Sequence, residues 1–354
     1  MVAAPGVSKA ARGGGDRRRL AHRAPPDYSR QLRRAFQLAF LALNIWIGIE
    51  FYFFVRFYET GSPGFLPRPA GVEGWLPIAG LMNLRQFLGT GEVPVIHPAA
   101  MFLLAGFIAM SLLLRKAFCG WLCPVGTVSE YLWRAGRRVF GRNLTLPRWA
   151  DLPFRSLKYV LLGLFLWVIG GMSAAAVEAF MSGPYGVIAD VKMLNFFRHM
   201  SATAAVVLGL LAIASVFVQN FWCRYLCPYG ALLGLFSTAS PLRIQRDGNL
   251  CIDCAKCAKA CPSQLPVDKL VNIKSAECTA CLECVAACPA AGALELGAAG
   301  VRRRVPAWAL AAGIVILFLG ITGYAKWSGH WQTHVPPAVY RELVPHAGEF
   351  AHPY

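Results

Sequence analysis

Between residues 251 and 289 the chain writes one cysteine pattern twice. It reads Cys251-x2-Cys254-x2-Cys257-x3-Cys261-Pro262, then Cys278-x2-Cys281-x2-Cys284-x3-Cys288-Pro289. Three thiolates at this spacing wrap a tight loop round three corners of an iron–sulfur cubane, and the trailing Cys-Pro supplies the fourth corner of the other one. The spacing assigns Cys251, Cys254, Cys257 and Cys288 to one [4Fe-4S] cluster, and Cys278, Cys281, Cys284 and Cys261 to a second. Zinc knuckles and a disulfide framework are the alternatives, but neither has a use for a Cys-Pro closing each repeat.

This is the spacing of two-cluster bacterial ferredoxins, so residues 241–300 are expected to form a small α+β dicluster domain. The remaining four of the twelve cysteines form a second duplicated motif. Phe118-Cys119-Gly-Trp-Leu-Cys123-Pro124-Val-Gly126 matches Trp222-Cys223-Arg-Tyr-Leu-Cys227-Pro228-Tyr-Gly230. Four residues is about one helical turn, which puts both sulfurs of a pair on one side. Pro124 and Pro228 suit the first turn of a following helix, expected over Val125–Phe140 and Tyr229–Ser240. The second cysteine of each pair then stands at a helix N-terminus, which favours a thiolate. Brought together, Cys119, Cys123, Cys223 and Cys227 offer four thiolates to one further metal centre. An iron–sulfur cluster, copper on soft thiolates, and metal-free redox dithiols all remain open for this set.

These motifs need elements to hold them, and the composition says which. The chain of 354 residues is 56% hydrophobic and only 15% charged, with mean hydropathy +0.47, yet its net charge is +17. Five apolar stretches approach the length of a bilayer core, about 20 residues. They run from about Ala35 to Val55, Pro98 to Leu114, Leu157 to Phe180, Ser201 to Phe221 and Pro306 to Tyr324. Of the 35 Lys and Arg residues, nine fall in 1–34, nine in 115–158 and ten in 222–305, leaving seven for the opposite side. That asymmetry places the N-terminus and both cysteine regions in the cytoplasm and the C-terminus outside. It accounts for the positive charge without nucleic acid, and it puts the thiols on the reducing side.

The expected fold is therefore mainly α: a polytopic helical membrane protein of about five transmembrane helices with an inserted α+β dicluster ferredoxin domain. Residues 1–34 read as a basic disordered arm. A faint twin-arginine pattern at Arg33-Arg34 lacks a cleavage site behind it, so the first span is expected to be retained. Residues 35–140 and 141–240 read as two membrane repeats, each ending in Cys-x3-Cys-Pro and both entering the bilayer in the same direction. The fifth helix, 301–325, follows an inner-face anchor of Arg302, Arg303 and Arg304, and 326–354 form a short outer tail.

Six of the seven histidines, His97, His199, His330, His334, His346 and His352, are expected on the outer side. His330 and His334 could share a helical face and bind copper or haem, although an interfacial tail is the reading favoured here. Glu50, Glu178, Asp190 and Lys192 stand near span ends and are candidates for a quinone pocket. No Cys-x2-Cys-His haem motif, P-loop, dinucleotide fingerprint, zinc-protease motif or Ser/His/Asp arrangement occurs, so one-electron chemistry is expected.

The paired CGWLCPVG and CRYLCPYG, followed by CIDCAKCAKACP and CTACLECVAACP, resemble the NapH/NosR/CcoG-type membrane polyferredoxins. The segments GVEGWLPIAGLMNL, GPYGVIADVKMLNFF and RKAFCGWLCPVGTVSE look most like the YccM-like electron-transport members. The resemblance spans about residues 35–325. It implies electron transfer at a bacterial inner membrane between the quinol pool and a redox partner, with quinol dehydrogenase-type activity as one possibility. Copper handling, as in cupric reductase-like relatives, and redox sensing in a respiratory regulator or assembly factor are the alternatives. NosR-type proteins carry a large flavin-binding domain before the spans, CcoG-type proteins an outer domain after them, and NapH-type proteins usually stop after the ferredoxin. This chain shows none of these layouts.

Overall fold

The computed structural model describes residues 27–62, 64–298 and 304–352. Residues 1–26 of the basic arm, and Arg302 and Arg303 of the expected anchor, lie outside them. Helix α1 runs Ser29–Thr60, so the first span extends inward beyond its apolar stretch. One face of the extra turn is buried, with Ser29 and Arg33 against the rest of the protein, while Gln31 and Arg34 are exposed. Asp27 Oδ1 accepts from the Ser29 amide at 2.7 Å at one end, and a left-handed Gly61 closes the other on the Phe57 carbonyl.

A 3₁₀ turn, Ala70–Trp75, and helix α2, Pro77–Thr90, lead into α3, Pro98–Leu114. The short α4, Ala117–Trp121, and α5, Pro124–Phe140, complete the first half. In the second half follow α6, Arg148–Gly171, α7, Ala174–Ser182, α8, Pro184–Val187, α9, Ala189–Arg198, and α10, Ala202–Phe217. A π-type turn, Trp222–Leu226, and α11, Pro228–Ser237, end it. The halves correspond as the sequence repeat predicts, with α2 and α9 ahead of α3 and α10, and a cysteine-bearing turn and helix behind. They also exchange partners: α5 packs on α10, and α11 packs on α3. Each post-cysteine helix thus lies on the other half's span, which brings the two cysteine pairs to one place.

Helices α1, α6 and α14, Ala307–Trp327, are long and apolar enough to cross a membrane. The pair α9 and α10, bent by 82° between them, passes as a fourth. The expected third span begins earlier, at Arg148, and stops at Gly171, because the Ser173 hydroxyl caps a new helix through the Ala176 amide at 3.1 Å. Helices α3 and α10 have 17 and 16 residues. At 1.5 Å per residue they rise only about 26 and 24 Å, against about 30 Å of hydrocarbon. These two helices lead into the two Cys-x3-Cys-Pro motifs. Trp46, Val160, Trp167, Leu210 and Ile316 belong to the outward-facing apolar belt of the spanning helices.

The cysteine-rich segment forms a three-stranded antiparallel sheet in the order β2-β1-β3, from β1, Leu242–Arg246, β2, Asn272–Ile273, and β3, Leu294–Ala298. Ile244 pairs with Ile273 on one side and Leu296 on the other, and all three are buried. Two short helices, α12, Lys256–Ala260, and α13, Glu283–Ala286, carry the middle of each cysteine repeat. On the opposite side of the molecule the tail helix α15, Pro337–Leu343, packs Tyr340 and Leu343 against Phe51, Phe54 and Tyr58 of α1.

Candidate iron–sulfur centres

The left-handed residues show how the ferredoxin loops are wound. Asp253 and Ala255 flank Cys254 with φ of 53° and 54°, and Ala280 and Leu282 flank Cys281 with φ of 49° and 58°. Left-handed backbone without glycine costs of order 1–3 kcal/mol per residue, yet both repeats hold it at matching positions. Successive residues of this kind turn their amides inward and make an anion-binding nest, the setting a cluster of net negative charge requires.

The four cysteines assigned to the second cluster, Cys261, Cys278, Cys281 and Cys284, line one small hollow of about 20 Å³. Its other walls include Ile244, Leu265, Val267 and Ile273. Burial pushes the Cys261 thiol up to about 11 and the Cys281 thiol up to about 12. Cys288 lies in the electrostatic reach of Cys251, Cys254 and Cys257, the three cysteines of the other repeat. Cys254 is exposed, as are Leu250 and Ile252 beside it.

A larger cavity, about 80 Å³, lies between the ferredoxin domain and the membrane helices. Cys119, Cys123, Cys223 and Cys227 all line it, together with Cys281 of the neighbouring hollow. Cys119 sits within α4 and Cys223 within the π-type turn. Cys123 and Cys227 are the residues immediately preceding α5 and α11, where their Sγ atoms accept the Gly126 and Gly230 amides at 3.4 and 3.2 Å. Each helix therefore points its N-terminus at the cavity. Burial nonetheless pushes the Cys119 thiol up to about 12 and Cys123 up to about 11. Bare thiols so placed stay neutral near pH 7 and are poor nucleophiles, because the thiolate is the reactive form. A metal centre is the group that would hold them ionised. The donor set therefore fits an iron–sulfur centre better than metal-free dithiols.

Charged residues fix this cavity against the ferredoxin domain, and sequence reasoning identified none of them. Arg33 of α1 binds Glu130 of α5 at 2.6 Å and Glu283 of α13 at 2.7 Å, and donates to the Gly120 carbonyl at 3.2 Å. Arg134 joins the same two carboxylates. Lys158 of α6 holds Glu277 at 2.5 Å. Arg224, between Cys223 and Cys227, is clamped by Asp151 and donates to the Ser263 carbonyl at 2.7 Å. Trp121 Nε1 donates to the Ala280 carbonyl at 3.0 Å, and Arg115 to the Ser275 carbonyl at 2.6 Å. Arg33, Arg134, Lys158, Arg224, Trp121 and Arg115 each make at least one contact to residues 263–283, the segment that carries Cys278 and Cys281 of the second cluster.

Two models of known families match the chain. One described as a 4Fe-4S binding domain matches residues 96–143 and 201–245, and one described as a 4Fe-4S dicluster domain matches 243–289. The first match covers both Cys-x3-Cys-Pro motifs and the second covers the ferredoxin repeats. YccM of Escherichia coli K12, provisionally named an electron transport protein, is 51% identical over 326 residues, covering 90% of this chain and 91% of that protein. The chain belongs to the YccM family. Over shorter stretches this family member is similar to the regulatory protein NosR of Stutzerimonas stutzeri, at 31% identity over 62% of this chain and 31% of NosR. It is also similar to the ferredoxin-type protein NapH of Escherichia coli K12, at 24% over 53% of this chain and 61% of NapH. No solved structure matches the chain. The protein is thus a membrane-bound, ferredoxin-type 4Fe-4S member of an electron-transport family, and the mainly helical fold with a dicluster domain is as expected.

Away from the cysteines, a second buried polar cluster lies around Arg68. Asp190 and His97 are buried in one network around Arg68, which binds Glu73 at 2.7 Å, Asp190 at 2.7 Å and His97 Nδ1 at 3.1 Å. Thr333 of the tail donates to Glu73 at 2.6 Å. His97 Nδ1 also lies 3.4 Å from Glu73 Oε1, and Nε2 lies 2.9 Å from the Gly186 carbonyl oxygen. Of the four quinone candidates, Asp190 belongs to this network, Lys192 binds the Phe350 carbonyl, Glu178 is exposed on α7 and Glu50 is half-buried on α1. His330 and His334 lie in irregular chain after α14, not on a helical face.

Proposed function

We propose that the protein relays single electrons between the quinol pool and a redox partner through three iron–sulfur centres in line. Cys119, Cys123, Cys223 and Cys227 would hold a membrane-surface centre. Cys261, Cys278, Cys281 and Cys284 would hold a middle cluster, and Cys251, Cys254, Cys257 and Cys288 a distal one. Such centres supply reversible one-electron storage at potentials that the protein sets. The observation that carries the reading is Cys281, which lines both the cavity of the Cys-x3-Cys-Pro set and the hollow of the middle cluster. Pro262, Ser263 and Thr279 share that wall, so a single layer of residues separates the two sites. The exposed Cys254 end, with Leu250 and Ile252, is the face offered to a soluble or membrane-bound partner.

The charge map supports a cytoplasmic ferredoxin domain and an outer tail, in a bacterial inner membrane. The domain borders that suit this arrangement are those of the sequence: repeats at 35–140 and 141–240, the ferredoxin at 241–300 and the fifth helix at 301–325. Iron and acid-labile sulfide on anaerobically purified protein test the relay. About twelve iron atoms per chain are expected, falling by about four in Cys123→Ala and Cys227→Ala. About eight iron atoms, with these thiols freely alkylated, would remove the membrane-surface centre. Copper retained in its place would turn the reading to copper handling. Reduction of the centres by a short-chain quinol in detergent tests the donor, and failure of all three to reduce would rule out quinol.

A further inference from the structure

Lys116 is buried, at 4% exposure, and lines the Cys-x3-Cys-Pro cavity. Among the described residues its ammonium makes no hydrogen bond, and no carboxylate lies within 4.0 Å of it. Glu277, which also lines the cavity, attracts Lys116 electrostatically but is hydrogen-bonded by Lys158 at 2.5 Å and Tyr159 at 3.2 Å. One carboxylate thus faces two buried ammoniums, Lys116 and Lys158, and burying the excess positive charge is expensive unless a second anion balances it.

The two halves of the repeat make room for this side chain in a particular way. Three residues before the first cysteine the halves carry Lys116 and Asn220, and seven residues after the second they carry Glu130 and Gly234. Glu130 is bound by Arg33, whereas at Gly234 a Cβ would lie 3.5 Å from Lys116 Nζ and 3.0 Å from the Ala276 carbonyl oxygen. At Gly230, one turn earlier, a Cβ would lie 3.7 Å from the same Nζ and 3.5 Å from Cys227 Sγ. Lys116 therefore crosses from the first half to a glycine-cleared face of α11, beside the thiols of the second. Lys116 thus acts on both cysteine pairs, with Lys158 as a weaker second cation toward Cys119 and Cys227.

We propose that Lys116 is the counter-cation of the four-thiol cavity, a positioning residue that compensates a net-anionic iron–sulfur centre there and raises its reduction potential. This rests on the reading that the cavity holds such a centre. A cubane held by four thiolates is anionic in both of its redox states and more so when reduced, so a fixed positive charge favours the reduced state. The effect makes the membrane-surface centre the easier one for quinol to reduce, ahead of the ferredoxin-type clusters.

The test is a redox titration of the full-length protein in detergent, followed by electron paramagnetic resonance, for wild type, Lys116→Met and Lys116→Arg. Lys116→Met should shift the one-electron equilibrium of one centre at least tenfold toward the oxidised form, about 59 mV. Lys116→Arg should restore most of that shift, and the other two centres should stay where they are. An unmoved potential with about twelve iron atoms retained overturns the role of Lys116 and leaves the three-centre reading standing. About eight iron atoms in the wild type removes the centre itself. Should Lys116→Met lose that centre altogether, Lys116→Gln decides between the two by the same titration, and loss of the centre in Arg as well as in Met and Gln counts against charge compensation.

Discussion

Arg33, in the innermost turn of the first membrane helix, binds Glu283, which stands between the cluster cysteines Cys281 and Cys284, at 2.7 Å. Both side chains are almost fully buried, and Glu130 shares the guanidinium. Breaking such a pair from one side strands the other charge, at a cost of about 3–5 kcal/mol. Arg33→Met should therefore lower the thermal midpoint of the detergent-solubilised protein, read by loss of cluster absorbance. Glu283→Gln, which leaves Arg33 with Glu130, should cost less. Equal and small effects from both would show that this junction does not hold the domain in place.

A second junction depends on the absence of a side chain. At Gly120 a Cβ would lie 2.8 Å from the Thr279 carbonyl oxygen, backbone against backbone. Gly120→Ala must push α4 and the Cys278–Cys284 loop apart, a strain of about 1–3 kcal/mol. Because Trp121 next to it donates to Ala280, the same displacement stretches that hydrogen bond. Electron transfer from the membrane-surface centre to the ferredoxin should slow in this variant, measured by rapid-mixing absorbance after quinol addition. Gly209→Ala, on α10 with open space around it, is the control and should behave as wild type.

The cysteines, the helices that carry them and their duplication are all legible in the sequence because each is encoded locally. Spacing sets which thiols can share a cube, and Pro124 and Pro228 mark where a helix must begin. Arg33 reads as part of a basic arm, since nothing in its neighbours reveals that Glu130 and Glu283 lie over it. Lys116 likewise reads as one more inner-face charge. Its burial follows from α11 packing on α3, and Gly234 standing where the first half has Glu130 is the one trace of it in the sequence. Asp190 and His97 stand in separate segments of the chain, and their common partner Arg68 lies 122 residues from one and 29 from the other. Contacts of that range come from topology, which local pattern does not carry.

That network around Arg68 makes a prediction about pH. Burial opposes the charge of Glu73, but the Arg68 guanidinium, His97 and Thr333 outweigh it and hold the carboxyl down at about 2. An unfolded glutamate titrates near 4.3, so Glu73 binds its proton more readily in the unfolded chain than in the fold. Its stabilisation is therefore complete above about pH 4.5 and is lost as pH falls from there toward 2. The shift corresponds to about 3 kcal/mol as an order of magnitude. Glu73→Gln should be less stable than wild type at pH 7, and the gap should narrow steadily below pH 4.5. Helical circular dichroism against temperature at several pH values measures it. A gap that stays constant with pH would mean that Glu73 acts by packing alone.

The crossed assignment of the ferredoxin cysteines has the sharpest test. Cys261 closes the first repeat in sequence, yet it shares its hollow with Cys278, Cys281 and Cys284 of the second. Cys288 closes the second repeat and lies toward Cys251 and Cys254 of the first. Cys261→Ala and Cys278→Ala should therefore abolish the same paramagnetic signal, and Cys288→Ala and Cys251→Ala the other, each with about four iron atoms lost. Assignment by sequence order predicts the opposite pairing, with Cys261→Ala grouped with Cys251→Ala. Cys281→Ala differs from the rest because its side chain also walls the Cys-x3-Cys-Pro cavity. It should remove the middle signal and, in addition, slow reduction of the distal cluster by quinol, leaving the membrane-surface centre reducible. A variant that lost the middle signal but still filled the distal cluster at the wild-type rate would place the route elsewhere.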